Sequence, residues 1–178
     1  MTNEPKPDHL ATDHLATDHL ATDHRAADHT RARIHFGSDH AAVDLRLELA
    51  EAARTDGHMI ASDAGPVDAA TSIDYPDVAV QVCERVLADP GSVGVLVCGT
   101  GQGMAMAANK MAGIRAAVVL DPFSARMARE HNDANVLCIG ARVAGSGLAR
   151  MLLQTFLGSS FAGGRHARRV AKIDAAGG

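Results

Sequence analysis

A cysteine stands directly before a cluster of glycines in the stretch VGVLVCGTGQGMAMAANK. Cys98 ends an apolar run, and the backbone N–H groups of the glycine-rich segment 99–103 can face a bound anion. A helix that begins after this segment presents the positive end of its dipole, which stabilises a thiolate. Cys98 is therefore a candidate base or nucleophile.

The other two cysteines have surroundings that favour packing over chemistry. Cys83 falls in a predicted helix and Cys138 in a predicted strand, where free cysteine commonly packs as a small hydrophobe. Three cysteines without a C-x-x-C spacing argue against a disulfide framework or a cysteine zinc site, and they favour a reducing cytoplasm.

The glycine-rich segment matches none of three known loops completely. A P-loop needs Gly-Lys-Ser/Thr after four intervening residues, which is absent. A tyrosine-phosphatase loop needs arginine six residues after the cysteine, and a dinucleotide fingerprint needs its third glycine at that same position, where Met104 stands. Asp121 follows the next predicted strand and can bind a ribose, so a nucleotide-dependent oxidoreductase remains an alternative.

Polar side chains elsewhere suit proton transfer or phosphate binding. His40 in SDHAA and His131 in REHNDAN are candidates for acid–base chemistry, and Asp39 can orient an imidazole or exchange a proton itself. The segment GGRHARRV carries arginines that form either a clamp on a phosphate or a solvated basic face. These are Arg165, Arg168 and Arg169.

Alternating apolar strands and amphipathic helices must position these residues. Strands are predicted at 33–38, 58–62, 92–98, 114–120 and 135–140. Helices are predicted at 41–57, 75–89, 104–112, 122–131, 147–158 and 165–176, with a loop at 63–74. The alternation predicts an α/β fold, a doubly wound three-layer αβα sandwich with a five-stranded, Rossmann-like parallel sheet.

The ligand of such a sheet lies beyond the carboxyl ends of its strands. The polar residues that follow strands are 38–40, 98–103, 121 and 140–142. We expect His131 and Asn132, at the end of the fourth helix, to join them. A cysteine, two histidines, an aspartate and a glycine loop would then share one edge of the sheet.

Composition and the N-terminal sequence limit the classes of function. The net charge of −4 does not suggest a general nucleic-acid binder, and no apolar run reaches the roughly 18 residues of a membrane span. Without a signal-peptide core, a cytoplasmic protein is expected. Residues 1–32, which repeat Asp-His every five residues, are predicted to be a disordered tail, with metal capture as the alternative, and 33–178 to be the functional domain.

Five motifs in one order resemble a single family. They are FGSDHAA, DYPDVA, VCGTGQGMAMAANKMAGIRAA, REHNDANVLCIGARV and FAGGRHARRV. Over residues 33–174 the chain resembles the type B ribose-5-phosphate isomerases, a family that includes galactose-6-phosphate isomerase subunits and allose- and tetrulose-phosphate isomerases. The resemblance implies interconversion of ribose 5-phosphate and ribulose 5-phosphate through an enediolate, without a metal or other cofactor.

The resemblance also implies a role for each matching residue. Cys98 corresponds to the base, as in the branch of the family that uses cysteine rather than a glutamate further along the loop. Thr100 and the amides of 99–103 would hold the enediolate oxygens, while His131 opens the sugar ring opposite Asp39. His40, Arg165 and Arg169 would bind the phosphate. The other implied substrate contacts are Tyr75, Gly99, Gly101, Gln102, Gly103, Asn132 and Arg142.

The implied assembly is a homodimer whose sites combine residues from both subunits, with pairing into tetramers left open. Allose 6-phosphate, galactose 6-phosphate and a tetrulose 4-phosphate are alternative substrates. A non-enzymatic module that only binds a sugar phosphate is a further alternative, against which Cys98 and His131 argue.

Overall fold

The computed structural model describes residues 31–176, in which a parallel sheet is flanked by helices. The strands are β1 (Arg33–Ser38), β2 (Met59–Ala64), β3 (Val93–Cys98), β4 (Ala116–Val118) and β5 (Val136–Gly140). The helices are α1 (Val43–Thr55), α2 (Tyr75–Ala88), α3 (Gln102–Ala108), α4 (Pro122–Asn132), α5 (Ser146–Leu157) and α6 (Arg165–Ala176), and a short 3-10 turn (His40–Ala42) precedes α1. The Asp-His repeat of the predicted tail lies outside the described residues.

The five strands run parallel in the order β2-β1-β3-β5-β4. β2 lies next to β1 on one side within the sheet, and the chain then crosses so that β3 lies next to β1 on the other side. The gap between β1 and β3 is therefore a topological switch point, where open α/β sheets bind their ligands. The registers pair Ser38 with Val97 and Cys98 with Gly140, so the carboxyl ends of the three central strands lie level.

Helices cover both faces of the sheet. Along β3, Val95 and Val97 pack into a core shared with α1, α4 and α5, whereas Leu96 and Cys98 pack into a second core shared with α2 and α3. The predicted α/β three-layer sandwich with a five-stranded parallel sheet is confirmed. Within residues 31–176, no helix combines the length and the apolar character that crossing a membrane requires.

Some elements begin or end at residues other than those predicted. α3 begins at Gln102, earlier than expected, because Gly101 adopts a left-handed φ of 78° at the preceding position. β4 has only three residues, and the Asn109 side chain hydrogen-bonds to both the N–H and the carbonyl of Ala116 in place of a neighbouring strand. β2 extends to Ala64 because its pairing with β1 continues there.

Candidate active site

The carboxyl ends of β1 and β3 bring an acid and a thiol next to each other. Asp39 follows β1 and Cys98 ends β3, and these strands are hydrogen-bonded neighbours. The Asp39 carboxylate is buried and accepts a hydrogen bond from the Ala41 N–H at 3.0 Å, which fixes its orientation. The Nδ1 atom of His40 is buried and has no hydrogen-bond partner within residues 31–176.

The loop after β3 folds over the sulfur of Cys98. Cys98 is 5% exposed, and the Gly101 N–H donates a hydrogen bond to its Sγ over 3.2 Å. This hydrogen bond holds the sulfur beside the loop amides. The exposed Thr100 accepts a hydrogen bond from the Gln102 N–H at 3.4 Å, so its own hydroxyl hydrogen remains available for a ligand.

The segment that follows β5 supports this loop. The Arg142 N–H donates to the carbonyl of Gly99 at 3.0 Å. Gly140 lies so close to the loop that a Cβ there would be 2.7 Å from the backbone of Thr100. The Arg142 side chain runs beside Gly99, with its Nε 3.7 Å from where a Cβ of Gly99 would be. The positive charge of Arg142 therefore lies beside the amides of this loop.

Tyr75, the first residue of α2, lies against the far end of the loop. A Cβ on Gly103 would be 2.7 Å from two ring carbons of Tyr75, so only glycine lets the ring pack there. The ring remains 41% exposed, which leaves part of it open to a ligand. We call the predicted residues gathered at this edge the thiol cluster: Asp39, His40, Tyr75, Cys98, Gly99, Thr100, Gly101, Gln102, Gly103 and Arg142.

His131 and Asn132 lie at the opposite edge of the sheet, so the expectation that they share an edge with Cys98 in one chain is wrong. α4 starts at the carboxyl edge after β4 and runs back for 11 residues, about 16 Å. After α4, the chain reaches the amino ends of β3 and β4 at Asn135. The Asn135 N–H donates to the carbonyl of Arg115, just before β4, and the Asn135 carbonyl accepts from the N–H of Gly94 in β3. The length of a central strand, about 15 Å, therefore separates the two groups.

A second group of candidates surrounds His131. Its ring stacks on that of His166, with centroids 4.1 Å apart and planes within 7°. Arg165 donates a hydrogen bond from Nε to the His166 Nε2 at 3.4 Å. Burial, and then the positive charges of His131, Arg165 and Arg169, hold the pKa of His166 below its ordinary value. We call His131, Asn132, Arg165, His166 and Arg169 the histidine cluster.

The structure also accounts for the residues without a place in either cluster. Cys83 and Cys138 are fully buried, and burial raises the pKa of Cys83 to about 12 and that of Cys138 well above its ordinary value. Asp121 caps α4 by accepting hydrogen bonds from the N–H and hydroxyl of Ser124, and β5 separates its strand from β3. Asp121 is therefore not beside the glycine loop, which argues against a dinucleotide enzyme.

A thiol, a buried acid and an amide-lined loop at the switch point of a parallel sheet define an α/β enzyme for a small anionic substrate. Residues 34–173 match the family model described as Ribose/Galactose Isomerase. The chain belongs to this family.

Individual relatives agree with this assignment. Ribose-5-phosphate isomerase B of Escherichia coli (strain K12) is 42% identical over 147 residues, which cover 80% of this chain and 95% of that protein. D-erythrulose-4-phosphate isomerase of Pectobacterium atrosepticum is 38% identical over 140 residues, covering 79% and 91%. The solved structure of ribose-5-phosphate isomerase B from Clostridium thermocellum is 44% identical with a TM-score of 0.78, covering 81% and 96%. The protein is thus an aldose–ketose isomerase.

Proposed function

We propose that the protein interconverts ribose 5-phosphate and ribulose 5-phosphate. The observation that carries this proposal is the hydrogen bond from the Gly101 N–H to Cys98 Sγ, next to Asp39 at the switch point. It places the Cys98 sulfur beside amides that can bind a carbonyl oxygen. The names and 42–44% identities of the Escherichia coli and Clostridium thermocellum relatives support the choice of sugar.

Cys98 acts as the base in this proposal. The reaction moves one hydrogen of the open-chain sugar from C2 to C1 and one from the C2 hydroxyl to the C1 oxygen, so no electrons are gained or lost overall. The Cys98 thiolate takes the C2 proton and returns it to C1. Thr100 and the amides of 99–103 stabilise the oxygen on which negative charge develops, and one such donor is worth about 3 kcal/mol.

The remaining steps are assigned to groups from both clusters. His131 exchanges the proton of ring opening opposite Asp39, which is held in place by its own hydrogen bond to the backbone. Arg165 and Arg169 bind the phosphate together with His40. The other substrate contacts are assigned to Tyr75, Gly99, Gly101, Gln102, Gly103, Asn132 and Arg142.

This proposal requires two copies of the chain. The thiol cluster and the histidine cluster are about 15 Å apart in one chain, too far for both to exchange protons with one pentose. A second copy whose histidine cluster faces the thiol cluster completes the site. Large apolar side chains exposed after β4 and β5 support a homodimer, because such surfaces mark protein interfaces: Leu120, Phe123 and Val143.

A tetrulose 4-phosphate is the second candidate substrate, because the Pectobacterium atrosepticum relative is named for D-erythrulose 4-phosphate. The proton transfer between C2 and C1 is the same for either sugar. The distance from the thiol cluster to the phosphate-binding arginines would decide between a four-carbon and a five-carbon chain.

Turnover of ribose 5-phosphate by the wild type and Cys98→Ala tests the proposal. Loss of the base is expected to lower kcat about 10³-fold with little change in KM. Cys83→Ala is the matched control, since its thiol is buried and protonated, and it should retain kcat. Near-normal turnover by Cys98→Ala would remove Cys98 as the base. A wild type that converts only tetrose or hexose phosphates would show the choice of sugar to be wrong.

A further inference from the structure

A buried arginine outside the proposed catalytic residues joins two parts of the thiol cluster. Arg46 of α1 is 4% exposed. Its Nη1 donates to the Ser38 hydroxyl at 3.1 Å and to the Ala64 carbonyl at 3.0 Å, and its Nη2 donates to the Pro66 carbonyl at 3.0 Å. Its Nε lies 2.9 Å from a carboxylate oxygen of Asp63. One guanidinium thus connects the end of β1 with the end of β2.

The fit around this guanidinium is tight. Gly65 has a φ of +120°, a conformation that side chains rarely adopt. A Cβ on Gly65 would overlap both the Ser38 carbonyl and Nη1 of Arg46. The chain after β2 is therefore held directly against the end of β1, with no room for a water molecule or a side chain between them.

Both segments that Arg46 joins lead into the thiol cluster. Ser38 immediately precedes Asp39. Pro66 precedes the mostly exposed segment 67–74, which leads to Tyr75 at the start of α2. The ring of Tyr75 packs on Gly103 in α3. The hydrogen bonds of Arg46 therefore fix the start of the segment that leads to Tyr75 against the residue that precedes Asp39.

Stability alone is a weak explanation for this arrangement. A buried charge is costly to desolvate, and replacing a whole buried ion pair such as Arg46 and Asp63 by apolar side chains of similar volume is often neutral for stability. The arginine instead provides three directed hydrogen bonds to atoms of two different segments, which an apolar side chain cannot do.

We propose that Arg46 is a positioning residue that sets the width of the sugar-binding cleft between Asp39 and Tyr75. This inference rests on the proposed function, because it assigns both residues to the substrate. Arg46 does not touch the sugar, and it lies at the opposite edge of the sheet from the histidine cluster.

Arg46→Met tests this role with a side chain of similar length and no hydrogen bonds. Misplacement of the cleft is expected to lower kcat/KM about tenfold. Arg46→Lys keeps a donor and should recover part of the loss. Arg54→Met, an exposed position of the same helix, is the control and should resemble the wild type.

Acrylamide quenching of tyrosine fluorescence is a measurement that should not change if Arg46 only stabilised the fold. Tyr75 is the single tyrosine and the chain has no tryptophan, so acrylamide quenching reports on this residue alone. Arg46→Met should increase quenching in the folded protein at 25 °C. This readout does not depend on turnover, so it still tests the placement of Tyr75 if the wild type proves inactive on ribose 5-phosphate, which would instead refute the proposed function.

Unchanged kcat/KM and unchanged quenching in Arg46→Met, even with a lower melting temperature, would overturn the inference. So would an Arg46→Lys variant no better than Arg46→Met. If Arg46→Met does not fold, Ser38→Ala decides, because it removes one acceptor of the arginine and leaves the others. A two- to threefold lower kcat/KM with raised quenching is then expected, and wild-type values would refute the role.

Discussion

At the scale of single residues, surroundings decide which of three cysteines can do chemistry. Cys83 and Cys138 are fully enclosed, and burial raises the pKa of both thiols. Cys98 is nearly as buried, but it ends a strand, and the Gly101 N–H points at its sulfur. The difference is the position at the carboxyl edge of the sheet, where loop amides are not engaged in pairing between strands.

Arg165 offers a test of phosphate binding at the same scale. Arg165→Ala removes a charge-assisted hydrogen bond of about 1.5–3 kcal/mol, so KM for ribose 5-phosphate should rise about 10- to 100-fold. Little change in kcat is expected, because the phosphate does not react. Steady-state kinetics alongside Arg150→Ala, an exposed arginine of α5, checks this. A KM equal to that of the wild type would remove Arg165 from the phosphate site.

At the scale of elements, the end of α4 is fixed by an unusual residue. Asp133 has a φ of 46°, and it is the one non-glycine with positive φ within residues 31–176. Arg115 donates from Nη2 to its carboxylate and from Nε to its carbonyl, each at 2.8 Å. These bonds stabilise the left-handed turn that ends the helix directly after His131 and Asn132.

Substitutions of Asp133 separate the contribution of its side-chain hydrogen bond to Arg115 from the cost of its left-handed backbone. Asp133→Ala loses the bond from Arg115 to the carboxylate, keeps the bond to the carbonyl and keeps the left-handed backbone, so it should lower the free energy of unfolding by about 2 kcal/mol. Asp133→Gly loses the same carboxylate bond but adopts this φ readily, and should be about 1 kcal/mol less destabilised than the alanine variant. Urea unfolding measures both values. A glycine variant as unstable as the alanine variant would contradict the role of backbone strain.

The strands and helices can be predicted from the sequence because each apolar run is stable only where the fold buries it. A short β-branched run such as VGVLVC is typical of a strand buried on both faces, which indicates a parallel sheet with helices on each side. The thiol cluster is predictable for the same reason, since Asp39 directly follows one such strand and Cys98 ends another. Their adjacency then depends only on β1 and β3 being neighbours.

The histidine cluster is not predictable in this way. His131 ends a helix rather than a strand, and a helix that returns along a parallel sheet carries its last residues to the amino edge. The stacking of His131 on His166 joins residues of α4 and α6, and no local pattern specifies it. The only sequence signal for His166 is its place between the arginines of GGRHARRV.

At the scale of the whole molecule, a buried histidine links stability to pH. His35 of β1 shares a hydrogen bond of 2.8 Å with the Ser62 hydroxyl, and its Nε2 lies 3.5 Å from the Asp89 carboxylate. Burial lowers the pKa of His35 from its ordinary value of 6.5, and the attraction of Asp89 only partly opposes this. The folded protein therefore favours the neutral ring, while the unfolded chain takes up a proton more readily.

The urea midpoint should accordingly be constant above about pH 7 and fall as the pH drops below 6.5. The stability that the neutral His35 ring contributes is fully present above the pKa of His35 in the unfolded chain. It is lost as the pH falls through the lower pKa of His35 in the folded protein. His166, whose pKa is also lowered, adds to the loss in the same direction. His35→Gln should flatten the profile between pH 7.5 and 5.5. A midpoint that rises on acidification would contradict this account.

The most direct test of the proposed shared site mixes two inactive variants. Cys98→Ala and His131→Ala are each expected to be inactive, and the two are refolded together so that mixed dimers form. In each mixed dimer one site has lost both residues and the other keeps both, so the mixture should regain about a quarter of wild-type turnover. An inactive mixture that nevertheless contains mixed dimers would contradict a site built from the thiol cluster of one chain and the histidine cluster of its partner.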